Sequence, residues 1–260
     1  EAGFYILTGS QQFDLLQNIS QSLAGRTALV RLLPFTMTEA YADSLKDVSL
    51  NRVLHTGFYP RIFNQNLDAA DAMMFYVNTY VERDLRMLIN VKDVSRFEIF
   101  LKLCAGRIGH VVNLSSLGND CGVNHKTIKN WLSVLEASYI IKILRPYYQN
   151  FNKRLIKSPK LYFHDTGLLC WLIGIQESSQ LATHPLRGSI FETFIISELV
   201  KNRWNRAETM PFYFWRDSNG NEVDVVVDAG TKLMPIEIKS GQTLNRSFFA
   251  GLERWMALAG

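Results

Sequence analysis

Residues 222–239 place acids at regular intervals on a strand-forming background. In Glu222-Val223-Asp224-Val225-Val226-Val227-Asp228, three valines alternate with Glu222, Asp224, Val226 and Asp228. Ile236 and Ile238 alternate in the same way with Glu237 and Lys239. Period-two alternation sends the two sets to opposite faces of a strand. Ala229-Gly230-Thr231-Lys232 supplies the turn of a hairpin. A turn centred between Gly230 and Thr231 puts Asp224 opposite Glu237 and Glu222 opposite Lys239, with facing Cβ atoms about 5 Å apart. Facing carboxylates repel, and Lys239 only partly offsets this. A divalent cation resolves the conflict. Mg²⁺ (or Mn²⁺) takes one or two carboxylates together with water and phosphate oxygens. Such an ion activates bound water and stabilises charge on a phosphodiester. Lys239 would then orient the water, and the Ile238 carbonyl could add a ligand. The alternative is plainer: a Glu222–Lys239 ion pair on a solvated face, with Asp224 and Glu237 exposed.

A third carboxylate can come from the helix expected over Gly188–Lys201. Phe191, Phe194, Ile195 and Leu199 form its apolar stripe at 100° per residue. Glu198 falls inside the stripe and Glu192 beside it, so either could face the sheet. A buried glutamate needs a partner, and a metal would serve. Asp165 follows a short apolar strand and reads instead as the N-cap of a helix starting at Thr166.

Charge is concentrated elsewhere. From His125 to Lys160 there are eight basic residues (Lys126, Lys129, Lys142, Arg145, Lys153, Arg154, Lys157, Lys160) and one acid, Glu136. Leu114–Cys121 reads as a short helix, Gly122-Val123 as a turn, and Asn124 as the cap of a second helix to Glu136. Tyr139–Leu144 is a β-rich run ended by Pro146. Helix, glycine turn, capped helix and strand is the layout of a winged helix-turn-helix. His125, Lys126 and Lys129 open the recognition helix. Lys142 and Arg145 lie where a wing would be, and Lys153 and Arg154 extend the basic stretch. Tyr147, Tyr148 and Phe151 interleave as stacking groups. DNA is the partner this pattern predicts. The same surface could instead contact protein.

The 260-residue chain is 47% hydrophobic and 20% charged, with net charge +4, which excludes a disordered chain. Three cysteines without a CxxC pair argue against a disulfide framework and for a reducing compartment, hence the cytoplasm. No uncharged apolar run approaches the roughly 18–20 residues of a membrane span. The N-terminal half alternates strands (Phe4–Thr8, Thr27–Leu33) with helices (Gln11–Ser22, Thr38–Leu45, Leu50–Leu54). A long helix capped by Asp68 and another capped by Ser95 follow. The last strands are Leu161–Phe163, Pro211–Trp215, Glu222–Asp228 and Leu233–Lys239.

The order Glu (helix), Asp (strand), Glu-x-Lys (strand) resembles the core of restriction-endonuclease-like, PD-(D/E)xK nucleases. Longer stretches together resemble AAA-type ATPases of bacteria and archaea with the C-terminal domain of unknown function 4143. They are Tyr5-Ile6-Leu7-Thr8-Gly9-Ser10, Leu23-Ala24-Gly25-Arg26, Leu33-Pro34-Phe35, Gly57-Phe58-Tyr59-Pro60 and Tyr80-Val81-Glu82-Arg83-Asp84-Leu85. Further on come Lys157-Ser158-Pro159-Lys160-Leu161-Tyr162-Phe163, Asp165-Thr166-Gly167-Leu168, Phe191-Glu192, Phe214-Trp215-Arg216-Asp217, Glu222-Val223-Asp224 and Pro235-Ile236-Glu237-Ile238-Lys239-Ser240-Gly241. The resemblance implies an α/β multidomain protein in four parts. Residues 1–35 would be the remnant of the ATPase core, 36–95 a helical lid, 96–150 a winged helix-turn-helix and 151–260 the nuclease-like domain. It implies that Thr8 or Ser10 senses a γ-phosphate and that Arg26 lies near nucleotide or a subunit interface. It also matches Glu192, Asp224, Glu237 and Lys239 to the nuclease positions, with Asp224 and Glu237 on the metal.

The chain has no GxxxxGK[ST] and no acidic strand end before residue 4. The phosphate-cradling loop of such an ATPase is therefore expected upstream of residue 1. ATP would be a cofactor of the longer protein only, and this chain alone is expected to show no ATP turnover. The functional expectation is an ATPase carrying a DNA-binding winged helix and a Mg²⁺-dependent deoxyribonuclease domain. Its alternative is an inactive nuclease fold serving as a DNA- or protein-binding module, or as a self-association domain.

Overall fold

A computed structural model describes residues 30–42, 46–80, 93–147, 158–208, 211–241 and 243–259. Thr8, Ser10, Arg26, Lys153 and Arg154 lie outside these residues. Residues 33–260 group into one unit, separate from residues 1–32.

Among the described residues, seven helices precede the first strand: α1 (Met37–Tyr41), α2 (Leu50–Thr56), α3 (Pro60–Gln65), α4 (Ala69–Tyr76), α5 (Val94–Ala105), α6 (Leu114–Cys121) and α7 (His125–Ala137). Local chemistry fixes their starts. Thr36 and Glu39 form a reciprocal capping box on α1, and Asp68 accepts from Ala70 N–H and Asp71 N–H at the head of α4. Asp93, rather than Ser95, caps α5 by accepting from Arg96 N–H. Asn113 and Asn124 cap α6 and α7, and Gly122 ends α6 in the left-handed region.

The sheet is mixed, with order β2-β1-β3-β4-β5. Its strands are β1 (Ile141–Pro146), β2 (Lys160–Phe163), β3 (Phe212–Arg216), β4 (Glu222–Asp228) and β5 (Leu233–Ile236). Only the β1–β3 pair is parallel. Between β2 and β3 run α8 (Thr166–Leu172) and the long α9 (Arg187–Asn205), and α10 (Ala250–Ala259) closes the chain. Ile196 and Leu199 of α9 pack on Val225 and Val227 of β4, whereas Trp255 of α10 packs with Trp215 and Val226. Helices thus cover both faces of β4, and every residue from Val223 to Val227 is buried. The run expected as a wing is β1, bonded on both sides inside this sheet. Helices α6 and α7 are therefore followed directly by a strand paired on both sides.

Two glycine-containing stretches far apart in sequence meet here. Asp165 caps α8, accepting from Leu168 N–H at 2.7 Å, and accepts from Phe58 N–H at 2.6 Å. Phe58 in turn stacks on Phe194 of α9, with ring centroids 5.6 Å apart. Nearby, the buried Lys201 ammonium donates to Phe35 O at 2.8 Å and to Glu198 at 3.2 Å. The segment entering α1 is thereby tied to α9. Cys104, Cys121 and Cys170 are buried free thiols. Among the described residues no helix is long and apolar enough to cross a membrane.

Candidate acid–base site on the sheet edge

The β4–β5 pairing runs Val225↔Ile236, Val226↔Pro235, Val227↔Met234 and Asp228↔Leu233. Continued by one step it sets Asp224 opposite Glu237, the register expected from the turn. The ladder nevertheless stops at Ile236, three residues short of the expected strand end. Asp224 explains this: its Oδ2 accepts from Ile238 N–H at 2.8 Å, so a carboxylate takes the place of a backbone acceptor. Asp224 is 7% exposed, which corrects the solvated-face alternative.

Lys239 does not pair with Glu222. Its Nζ bonds to Glu237 and lies 3.6 Å from Asp224 Oδ2. Two carboxylates about 5 Å apart repel by roughly 3 kcal/mol at an effective dielectric near 20. The ammonium between them offsets that repulsion. One Glu237 oxygen, Oε2, stays buried without a hydrogen-bond partner among the described residues. Burial first, and then the Asp224 charge, push the Glu237 carboxyl above the usual range, against the pull of Lys239. Lys239 itself is raised by the carboxylates around it, although burial acts the other way.

Of the two helix glutamates, Glu192 faces the sheet. It receives the Tyr162 hydroxyl on Oε1 at 2.5 Å and lies 3.5 Å from Lys160 Nζ. Burial raises its pKa, Lys160 opposes the shift, and the Asp224 charge adds to it. Glu198, six residues on, points to a different side of the helix. It accepts from Met37 N–H at 2.9 Å and from Lys201. Glu222 bonds to Lys160 and lies 3.4 Å from Arg216.

Lys160 and Tyr162 are the residues that sequence reasoning missed. Lys160 ends the basic stretch in the sequence, yet it is 2% exposed. A lysine two residues before a tyrosine in an otherwise apolar strand was the available signal, because same-face neighbours share surroundings. Asp224 and Glu237 offer oxygen donors, and Glu237 Oε2 has no partner among the described residues, so these are the residues that could hold Mg²⁺ or Mn²⁺. Among the described residues no three His, Cys, Asp or Glu side chains meet as a metal-binding group. Glu192 is engaged by Tyr162 and Lys160 and adds no third ligand.

On α7, His125, Lys126 and Lys129 are exposed, with no ion-pair partner among the described residues. Gly118 lets α6 approach the turn into α7, since a Cβ there would sit 2.6 Å from Val123 O. Arg145 is exposed on β1. Lys142 is only half-exposed, and burial lowers its pKa against the pull of Glu136.

The family described as Domain of unknown function (DUF8612) matches residues 47–179, just over half of the chain. The chain belongs to the DUF8612 family. A second family, Domain of unknown function (DUF4143), matches residues 187–260. The DUF8612 part supplies Lys160 and Tyr162 to the site, and the DUF4143 part supplies Glu192, Glu222, Asp224, Glu237 and Lys239. Neither part alone holds the whole cluster. Two uncharacterized proteins, from Mycobacterium bovis and Mycobacterium tuberculosis, are each 29% identical over 250 residues, covering 95% of this chain and 55% of theirs. The chain thus spans about half the length of these curated relatives. No solved structure matches.

Proposed function

We propose that this chain is the DNA-acting part of an AAA-type ATPase, with Asp224, Glu237 and Lys239 as a divalent-cation-dependent site for phosphodiester cleavage. The observation that carries the reading is their convergence: two facing carboxylates, one with a buried oxygen that has no partner among the described residues, and a lysine reaching both. Asp224 and Glu237 would hold the ion, which supplies an activated water and charge stabilisation when bound. Lys239 is 38% exposed at its side chain, so its ammonium can leave the carboxylates and donate to water or phosphate. Glu192 stands behind, held by Tyr162 and Lys160. The ATPase part of the reading rests on the resemblance of residues 1–35, where Thr8, Ser10 and Arg26 would serve nucleotide supplied by the longer protein.

Mn²⁺ titration by calorimetry tests the site. Saturable binding is expected, lost in Asp224→Ala/Glu237→Ala. Asp224→Ala should also abolish cleavage of linear or branched DNA, a fall of at least about 100-fold, while leaving DNA affinity near the parent value. Undiminished cleavage by Asp224→Ala, or no Mn²⁺ uptake at millimolar concentration, would remove the enzyme reading.

A second reading, a DNA-binding module without cleavage, is favoured by the free basic face of α7. Binding would then need no Mg²⁺. Lys126→Ala/Lys129→Ala should weaken it equally across sequences and reduce the salt slope by about 2. An unchanged salt slope would exclude α7 as the phosphate-contacting surface.

A further inference from the structure

The carboxylates on this edge fall into two pairs, each bridged by one lysine, and the two lysines are not alike. Lys239 bridges Asp224 and Glu237 from a side chain 38% exposed. Lys160 bridges Glu192 and Glu222 from a side chain 2% exposed. Protein encloses the second lysine, while Glu192 and Glu222 are 14% and 24% exposed at their side chains and Glu222 also lies 3.4 Å from Arg216. Tyr162, two residues along β2 and on the same face, donates to the same Glu192 oxygen that Lys160 approaches. Gly109, at φ +72°, brings its loop against the other oxygen: a Cβ there would lie 3.2 Å from Glu192 Oε2. The Lys160 ammonium also lies 5.4 Å from the Phe214 ring centroid. An ammonium buried this deeply persists only where its charge is answered, and Glu192 and Glu222, both partly buried, are the carboxylates that answer it.

We infer that Lys160 is a built-in cation. Its ammonium occupies the place between Glu192 and Glu222 that a divalent ion would otherwise take. It thereby confines exchangeable cation to the Asp224–Glu237 pair and fixes Glu192 as a wall of the site. Lys160 is on this view a positioning residue. The count of a single exchangeable ion rests on the cation reading proposed above. The occupancy of the Glu192–Glu222 pair does not.

The test is Lys160→Met, which keeps the length of the side chain and removes its charge. The 260-residue chain and the variant are titrated with Mn²⁺ alone. The variant is expected to bind one Mn²⁺ more per chain than the parent, and Lys160→Arg is not. Adding Glu192→Gln to Lys160→Met should remove the extra ion. One ion in the parent and two in the variant supports both proposals. None in the parent and one in the variant sinks the cation reading at Asp224 but upholds this one. A folded Lys160→Met that binds no more Mn²⁺ than the parent overturns it. If the variant is unfolded in chelator, Mn²⁺ should refold it, because an ion bound only by the native state stabilises that state. Failure to refold in millimolar Mn²⁺ overturns the proposal as well.

Discussion

Gly57→Ala is expected to lose about 4 kcal/mol of stability, from backbone strain and overpacking together. Gly57 ends α2 at φ +69° and ψ −155°, a region that side chains other than glycine's hydrogen essentially never enter. A Cβ there would lie 2.6 Å from Gly167 N and 2.7 Å from both Asp165 carboxylate oxygens. None of these atoms can retreat. Asp165 is held by Leu168 N–H and Phe58 N–H, and Gly167 is packed so closely that its own Cβ would meet Thr56 O at 2.6 Å. The two glycines therefore interlock α2 with α8. A domain's whole stability is about 5–15 kcal/mol, so the variant should melt at least about 10 °C below the parent or fail to fold. A circular-dichroism melt measures this. A midpoint within about 2 °C of the parent would show that the junction relaxes, and the interlock argument would fall. Gly167→Ala should behave alike, because it breaks the same contact from the other side.

That junction also shows what the sequence could and could not reveal. Gly57-Phe58-Tyr59-Pro60 and Asp165-Thr166-Gly167-Leu168 are recognisable as separate stretches, and Asp165 reads correctly as a cap. Their meeting depends on tertiary packing between residues 107 positions apart. Local signals were legible where the chemistry is local. The Asn124 cap, the Gly122 turn and the 229–232 turn all act within a few residues, and the hairpin register followed from them. Strand ends were less legible. Nothing in Pro235-Ile236-Glu237-Ile238-Lys239 announces that Asp224 will take the Ile238 N–H and end the ladder early. The alternation of β4 suggested one wet face, but α10, arriving 22 residues later, covers it. At the site, Asp224, Glu237 and Lys239 were found because they share a hairpin. Lys160 was not, because a lysine's charge gives no local hint that it will be buried between two carboxylates from α9 and β4. Its role is visible only once β2, paired with β1 in the sheet, sets Lys160 against Glu192 and Glu222.

Stability is expected to fall as pH drops below about 6.5, and His164 is the reason. Burial, reinforced by the Lys142 and Lys201 charges, lowers its pKa to about 3. Its Nδ1 is buried and has no partner among the described residues. The folded protein therefore keeps this imidazole neutral at a pH where the unfolded chain protonates it. Between the two pKa values the unfolded state binds more protons, so stability rises with pH and is lost as pH falls. With an unfolded value near 6.5, the loss reaches about 2 kcal/mol at about pH 5. Asp165, Glu192 and Glu237 act with the opposite sign. Burial raises their carboxyl pKa values, so the folded state binds more protons than the unfolded one just above the usual carboxylate range. Lowering the pH through that range favours the folded state at these groups and masks part of the His164 effect. The decisive quantity is therefore a difference. Urea unfolding of the parent and of His164→Gln, from neutral pH down to about pH 5, cancels the carboxylate contributions. The gap between the two proteins should change by about 2 kcal/mol in favour of the variant as pH falls. A gap independent of pH would mean that His164 titrates alike in the folded and unfolded states, so water or a partner reaches its ring in the native protein. The buried face where β2, α8 and α9 meet would then be open to solvent.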